Sequence, residues 1–547
     1  MNKTPASLHG GGLLTQCLVA QGVKRIFCIP GESFLAALDG MYDTDIDVVV
    51  ARHEGGAAMM AEATGKLTGK PGVAFVTRGP GATNASAGVH VAFQDSTPMI
   101  LFVGQVASNQ SDREAFQELD YRAMFGPLAK WVAQIDRSDR IPEYISHAFH
   151  IAQSGRPGPV VLSLPEDMLS EPTQGIPVPA AVLPSGQAAE EDLHEVVLKL
   201  AAAERPVLIV GGATWDATAA EALGEFAKKM GLPVGASFRC QDFLDNRHSN
   251  YVGDVGIGIN PALEKYVREA DVILALGTRL GEITTSGYSL LTPPQSKQEL
   301  IHIYADPSEI GRVYHPTLAI VAQPGPVIKQ LCDMAISRAG GLWLSSAHEA
   351  YKIWQQPEET PGALKMEQVI THLNNVLPDD AILTNGAGNY SAWLHRYYRY
   401  RNWRTQLAPT SGSMGYGLPA AIAAKLQSPD KEVVCLAGDG CFQMVSQEFG
   451  TACDQGLAVI VIIADNGMYG TIRMHQQRHY PMRPSGTAMK NPDFAALARA
   501  YQGFGVTVST TAEFAPALHA ARESGIPAII HLKLDPSALS PKILLEG

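Results

Sequence analysis

Apolar residues along this chain gather in short unbroken runs, each closed by a Gly- or Pro-bearing turn and followed by an Ala-rich stretch of helical character. In the first third the runs are "RIFCIPG", "GVAFVTRGPG", "MILFVGQ" and "PVVLSLP". The middle holds "RPVLIVGGA", "ADVILALGT" and "LIHIYADP", and the last part "AILTNGAG", "VVCLAGDG", "AVIVIIADN" and "AIIHLKL". A strand with one wet face alternates apolar and polar residues, so unbroken runs suit strands covered on both faces. Strands alternating with helices build parallel, doubly wound sheets. Right-handed crossovers then gather the loops at the C-terminal strand ends on one edge, where ligands bind. The pattern predicts an α/β fold of three doubly wound parallel-sheet domains.

Two segments interrupt the pattern. "PEDMLSEPTQGIPVPAAVLPSGQ" is Pro-rich and irregular, and "SRAGGLWLSSAHEAYKIWQQPEETPGALK" separates two strand series. Read as linkers, they place domains at 1–172, 188–340 and 360–547. The length of 547 residues agrees with about three cores.

Composition narrows the function. With 46% hydrophobic and 18% charged residues the chain is globular rather than disordered. A net charge of -12 argues against nucleic-acid binding, which needs a basic surface, but leaves room for an anionic small molecule in a local pocket. The seven cysteines are scattered and show no CxxC or Cys/His spacing, as expected of free thiols in a reducing compartment. The first residues lack a secretory apolar core, and no run approaches the ~18 apolar residues of a membrane span. A cytoplasmic protein without a membrane partner is expected.

The stretch "GDGCFQMVSQEFGTACDQGLAVIVIIADNGMYG" (438–470) carries the chemistry. Asp439 and Asn466 end two successive apolar runs 27 positions apart, room for one crossover helix ("MVSQEFGTACDQG") between parallel strands. Two hard oxygen ligands then meet at one sheet edge. Mg2+ takes few protein oxygens and completes its shell with phosphates. Gly438 and Gly440 let the backbone approach closely, and the start of the next helix offers N–H groups to an anion. Together these read as a Mg-bridged diphosphate site.

At this point the chain resembles a known family. GDG followed after one crossover by "DN" is similar to the signature of thiamin diphosphate (ThDP) enzymes, GDG then NN. The resemblance implies that Asp439, Asn466 and the backbone oxygen of Met468 hold Mg2+, with Gly438, Gly440, Cys441 and Tyr469 along the cofactor. Two positions depart from the pattern: Asp465 replaces the first Asn of the pair, and Cys441 stands where relatives often have Ser or Ala. "ARHEGGAAMMAEATGKLTGKPGVAFVTRGPGATNASAGVHVAFQDSTPMILFVGQ" closely resembles the pyrimidine-binding domain of acetolactate synthases and related 2-oxo acid enzymes. "RPVLIVGGA" onward resembles their central, Rossmann-like domain, and "TSGSMGYGLPAAIAA" the segment that grips the middle of the cofactor.

The resemblance assigns roles. Glu54, in "RHE", would bond the aminopyrimidine ring and promote its imino form, helped by a partly dry pocket. Met414 would bend the cofactor into a V, and the Gly412 carbonyl would accept a bond from its amino group. Gly388, Asn389 and Tyr390 would lie by the diphosphate. Gln117, with Phe116 beside it, and Gly31 would face the reacting carbon, although "AFQE" alone reads as an ordinary helix face. For His53 and His90 structural roles are favoured. "MYGTIRMHQQRHYPMRPSG" reads either as a lid bringing Arg473, Met474 or His475 to the substrate or as a solvated helix and loop.

The implied activity is ThDP- and Mg-dependent decarboxylation of a pyruvate-like 2-oxo acid and ligation to a second carbonyl. A simple decarboxylase, a benzaldehyde lyase-type hydroxyketone lyase and a non-catalytic ThDP- or nucleotide-binding protein are the alternatives. The family implies a homodimer or homotetramer with cofactor sites at the subunit interface. FAD is disfavoured: "GDVGIGINPALEKYV" and "GTRLGEITTSGYSLL" keep the strand–loop layout and Arg279 but depart from the usual flavin-contacting text.

Overall fold

Eighteen strands form three parallel six-stranded sheets among the residues that the computed structural model describes, 8–184 and 186–545. Residues 1–7 of the first expected domain and 546–547 of the last lie outside the described residues. The first sheet is built from Arg25–Cys28 (β1), Asp47–Val50 (β2), Gly72–Val76 (β3), Met99–Gln105 (β4), Trp131–Gln134 (β5) and Pro159–Pro165 (β6), in the order β2-β1-β3-β4-β6-β5. The second comprises Pro206–Val210 (β7), Val234–Ser237 (β8), Tyr251–Val255 (β9), Val272–Leu276 (β10), Glu299–Tyr304 (β11) and Leu318–Val321 (β12), in the order β12-β11-β10-β7-β8-β9. The third comprises Ile382–Asn385 (β13), Gln406–Leu407 (β14), Val433–Gly438 (β15), Val459–Asp465 (β16), Phe504–Val508 (β17) and Ala528–Lys533 (β18), in the order β14-β13-β15-β16-β18-β17.

The unbroken apolar runs become the inner strands. Every residue of β3, β4, β6, β7, β10, β15 and β16 is buried, as two helix-covered faces require. The chain gathers into two compact units. One holds the first sheet and takes in Leu418–Pro429 and Gln443–Ala458; the other holds the second and third sheets, with 186–417, Asp430–Phe442 and 459–545.

Two local expectations change. The second linker carries a helix, Gly341–Trp354, which buries Ala347 and Tyr351 and sets Trp343 edge-on to Tyr266 at 4.6 Å. The crossover between β15 and β16 is two short helices, Asp439–Gln443 and Glu448–Asp454, and the first begins at the acidic residue itself. No helix among the described residues is long and apolar enough to cross a membrane.

The strand order reverses between β1 and β3, between β7 and β10, and between β13 and β15; the first and third sheets turn back once more at the far edge, where β5 lies outside β6 and β17 outside β18. Chains leave such a switch point in opposite directions and open a crevice beyond the carboxyl ends of the strands, where open α/β sheets bind ligands.

Candidate active site

The candidate site lies at the crevice of the third sheet. The pairing of β15 with β13 and β16 sets the three strand ends side by side, with Asn385 opposite Leu436 and Gly438 opposite Ala464. One cleft is lined by Gly388, Asn389, Tyr390, Gly412, Met414, Gly438, Asp439, Gly440, Cys441, Asn466, Met468 and Tyr469. These are all the cofactor and metal residues expected from the sequence outside the first unit. Glycine is required at the tip of β15. A Cβ on Gly438 would lie 2.7 Å from the Tyr390 ring, and one on Gly440 2.8 Å from the Tyr469 ring.

Asp439 is buried, and burial pushes its carboxyl up to about 6 against the pull of its hydrogen bonds. Gly440 N donates to Oδ1 at 2.8 Å; Gly467 N and Asn491 Nδ2 donate to Oδ2 at 3.0 and 2.7 Å. A carboxylate offers about four lone-pair sites, so these three donors leave capacity for a cation. Asn466 Oδ1 accepts from Met468 N at 3.3 Å and lines the same cleft. A set of carboxylate, amide and carbonyl oxygens fits Mg2+ sharing its shell with phosphates rather than a softer metal.

The substituted Asp465 has its own partners. Its Oδ2 accepts from His531 Nε2 and Lys533 Nζ, each at 2.7 Å, and its Oδ1 from Asn491 Nδ2 at 2.6 Å and Gly467 N at 3.0 Å. Burial raises this carboxyl, but the His531, Lys533 and Asn491 bonds outweigh burial and hold it well below the carboxylate range. The extra negative charge is therefore paired with Lys533 and hydrogen-bonded by His531, both on β18. Asn491 ties it to Asp439.

The Cys441 thiol is buried and accepts from Tyr390 Oη and Gly415 N, both at 3.2 Å. Tyr390 Oη in turn accepts from Gly386 N at 3.1 Å. The sulfur thus locks the loop after β13 to the loop that carries Met414.

The segment after Asn466–Tyr469 forms a helix, Gly470–His479. Thr471 exchanges two 3.0 Å bonds with Asn389: Asn389 N donates to its Oγ1, and its hydroxyl donates to Asn389 Oδ1. The cleft is reached by Gly470, Thr471 and Ile472. Arg473, Met474 and His475 are not among its lining residues; Met474 is buried and His475 exposed. Sequence reasoning also missed Trp393, Leu534, Ala538 and Leu539, apolar walls contributed by a helix and by the chain after β18.

The remaining expected residues sit in the first unit, around the crevice between β1 and β3. Gly31 follows β1, and a Cβ there would lie 2.5 Å from Thr77 Cβ, just past β3. A Cβ on Gly79 would lie 2.8 Å from the Gln117 carbonyl. Gln117 is not on a helix face. It stands in a turn at φ +64°, with the exposed Phe116 beside it. Glu54 begins the helix Glu54–Thr68, where a negative charge meets the positive end of the helix dipole. Its Oε2 accepts from Asn84 Nδ2 at 2.9 Å, and a Cβ on Gly81 would lie 3.5 Å from its Oε1. The turn Thr77–Gly79 and the start of the helix Pro80–Asp95 therefore bring Glu54, Gly31 and Gln117 to one edge. His53 caps the helix by accepting from Gly55 N, while His90 is exposed.

Under the Glu54 turn lies a buried acid that the sequence did not reveal. Both oxygens of Glu448 accept from Arg52 N at 3.2 Å, and Oε2 accepts from Thr451 Oγ1 at 2.7 Å.

At the switch point of the second sheet the buried Trp215 donates its indole N–H to Gly211 O at 3.1 Å. A Cβ on Gly277 would lie 3.0 Å from that nitrogen. Trp215 thus packs against the chain just past the ends of β7 and β10.

Comparison with known proteins agrees with this layout. Residues 8–124 match the N-terminal TPP binding domain of thiamine pyrophosphate enzymes, 193–331 their central domain and 386–532 their C-terminal TPP binding domain. The chain is 31% identical to the probable acetolactate synthase large subunit of Methanocaldococcus jannaschii, over 98% of this chain and 93% of that protein. It is 32% identical to the acetolactate synthase isozyme 3 large subunit of Escherichia coli, over 94% and 92%. It is 33% identical to an acetolactate synthase of Mycobacterium bovis, over 90% and 82%.

Proposed function

The chain belongs to the thiamine pyrophosphate enzymes, and from that premise we propose that it is an acetolactate synthase-like carboligase, decarboxylating a pyruvate-like 2-oxo acid and joining the remainder to a second carbonyl. The observation that carries this reading is the convergence of all twelve expected cofactor and metal residues of the C-terminal segment on one cleft at a sheet switch point.

Bound there, thiamin diphosphate would supply the electron sink for loss of CO2 and the nucleophilic carbon for ligation. The protein's part is to hold, orient and dry the site. Asp439, Asn466 and the Met468 carbonyl would bind Mg2+ and, through it, the diphosphate. Gly388, Asn389 and Tyr390 would line the diphosphate, and Gly440 and Cys441 offer backbone close to it. Met414 would prop the two rings apart at their bridge, with the Gly412 carbonyl accepting from the amino group. Glu54, provided by a second copy of the chain, would hold the proton shared with the aminopyrimidine ring. Asn84 keeps its carboxylate oriented. Gly31 and Gln117 would border the 2-oxo acid. A homodimer is the smallest unit with a complete site on this reading, and a homotetramer pairs two of them. Cytoplasmic residence suits a chain whose described cysteines are all free.

The test is incubation of the purified protein with pyruvate, ThDP and Mg2+, following CO2 and identifying the product. Acetolactate supports the reading. Acetaldehyde alone would make the protein a simple decarboxylase, and release of an aldehyde from a hydroxyketone a lyase. No turnover of any 2-oxo acid or hydroxyketone would leave only a binding protein.

A further inference from the structure

The segment following β8 carries a buried arginine. Arg239 is 7% exposed, and its backbone has φ +61°, a region that non-glycine residues rarely enter and keep only where the surroundings over-determine it. Its Nη1 donates to Pro409 O at 2.5 Å and its Nη2 to Gly386 O at 2.8 Å. Gly386 immediately precedes the cleft-lining residues 387–390, and Pro409 stands three residues before Gly412. One guanidinium thus joins both loops that line the cleft ahead of β15.

Neighbouring bonds seat the segment without its help. Gln241 N donates to Gln406 Oε1 at 2.8 Å, and Gln406 Nε2 donates to Gln241 Oε1 at 3.0 Å. Asp242 Oδ2 accepts from Thr405 N at 2.9 Å and Gln406 N at 3.1 Å. The charge of Arg239 is felt locally: burial first, and then the guanidinium, push the His395 ring down to about 3 and keep it neutral.

We propose that Arg239 is a positioning residue for the coenzyme: from the central domain it clamps the 386–390 and 409–414 loops in their binding geometry. The inference rests on reading the cleft as the ThDP site. Both acceptors are main-chain carbonyls, so the clamp fixes the path of the backbone rather than a side chain. A planar fork meets two acceptors in set directions, which the point charge of lysine does not. Loops held before the ligand arrives lose less freedom when it binds.

The experiment uses the full-length protein with Arg239→Lys and Arg239→Met. Mg2+-dependent ThDP binding is measured by calorimetry, turnover as a function of ThDP, and the melting midpoint of the coenzyme-free protein. The clamp predicts that Arg239→Lys binds ThDP about tenfold or more weakly, with a smaller fall in kcat at saturating ThDP. That loss persists at temperatures well below the midpoint. Should Arg239→Met not fold, Arg239→Lys, which keeps the charge, carries the test. Binding within about twofold of wild type, or a loss that vanishes once the variant is fully folded, overturns the clamp and leaves the cleft assignment standing. A wild-type protein that binds no ThDP overturns both.

Discussion

Replacing Glu448 by Gln should stabilise the protein at pH 8 and not at pH 4.5. Its side chain is wholly buried, and burial outweighs the bonds from Thr451 and Arg52 N, pushing the carboxyl up from 4.5 to about 7. Each pH unit of that rise corresponds to about 1.4 kcal/mol, so ionising Glu448 costs the native state about 3 kcal/mol. The native protein keeps a proton that the unfolded chain releases once the pH exceeds about 4.5. Stability therefore falls as the pH climbs from about 4.5 to about 7, and no further loss follows from this group above that. Glutamine preserves the shape: its oxygen can accept from Arg52 N and its amide can donate to Thr451 Oγ1, while the second Arg52 contact is lost by the same amount at every pH. Urea unfolding of the coenzyme-free protein at pH 4.5 and pH 8, for wild type and Glu448→Gln, isolates the effect of this one ionisation. Any constant effect of the substitution cancels between the two pH values. The expected outcome is a stability difference that moves by up to about 3 kcal/mol in favour of the variant at the higher pH. A difference that is the same at both pH values would refute the reasoning.

Glu54→Gln should lower kcat by about 100-fold to 10,000-fold while ThDP titration by fluorescence quenching gives an affinity near wild type; undiminished turnover removes Glu54 from its role. Gly438→Ala puts a Cβ 2.7 Å from the Tyr390 ring, so the ring must move. About 1–3 kcal/mol of unfolding free energy should be lost, together with ThDP affinity, both read from denaturant and ligand titrations. Cys441→Ser should be nearly silent in ThDP affinity, since a hydroxyl can accept from Tyr390 Oη and Gly415 N as the sulfur does; a marked loss would show that the larger sulfur sets the loop spacing.

How much of this was legible in the chain follows from burial. The eleven quoted apolar runs are eleven of the twelve inner strands; the missing one, β8, reads "VGAS" and has too little apolar surface to stand out. The six edge strands lie outside those runs for different reasons: β2 is mostly wet, and β9, though nearly buried, is interrupted by Gly253 and Asp254. β5 and β12 are half wet, β17 is mostly half-buried, and β14 has only two residues. The candidate metal residues were legible because Asp439 and Asn466 directly follow two inner strands at readable spacing. Glu54, Met414 and Gln117 depended on family resemblance, and the turn that holds Gln117 at positive φ has no local signal. Arg239 and the walls Leu534, Ala538 and Leu539 were not legible at all. They act through contacts with residues far away in the chain, which periodicity does not record.

The most direct test of the account is calorimetric titration of ThDP into the wild-type protein and into Asp439→Ala, each with Mg2+ and with EDTA. Tight binding is expected only for wild type with Mg2+, and weak or no binding in the other three cases. Equal affinity in all four would contradict it, because the diphosphate would then be held without the ion and without the residue at the tip of β15.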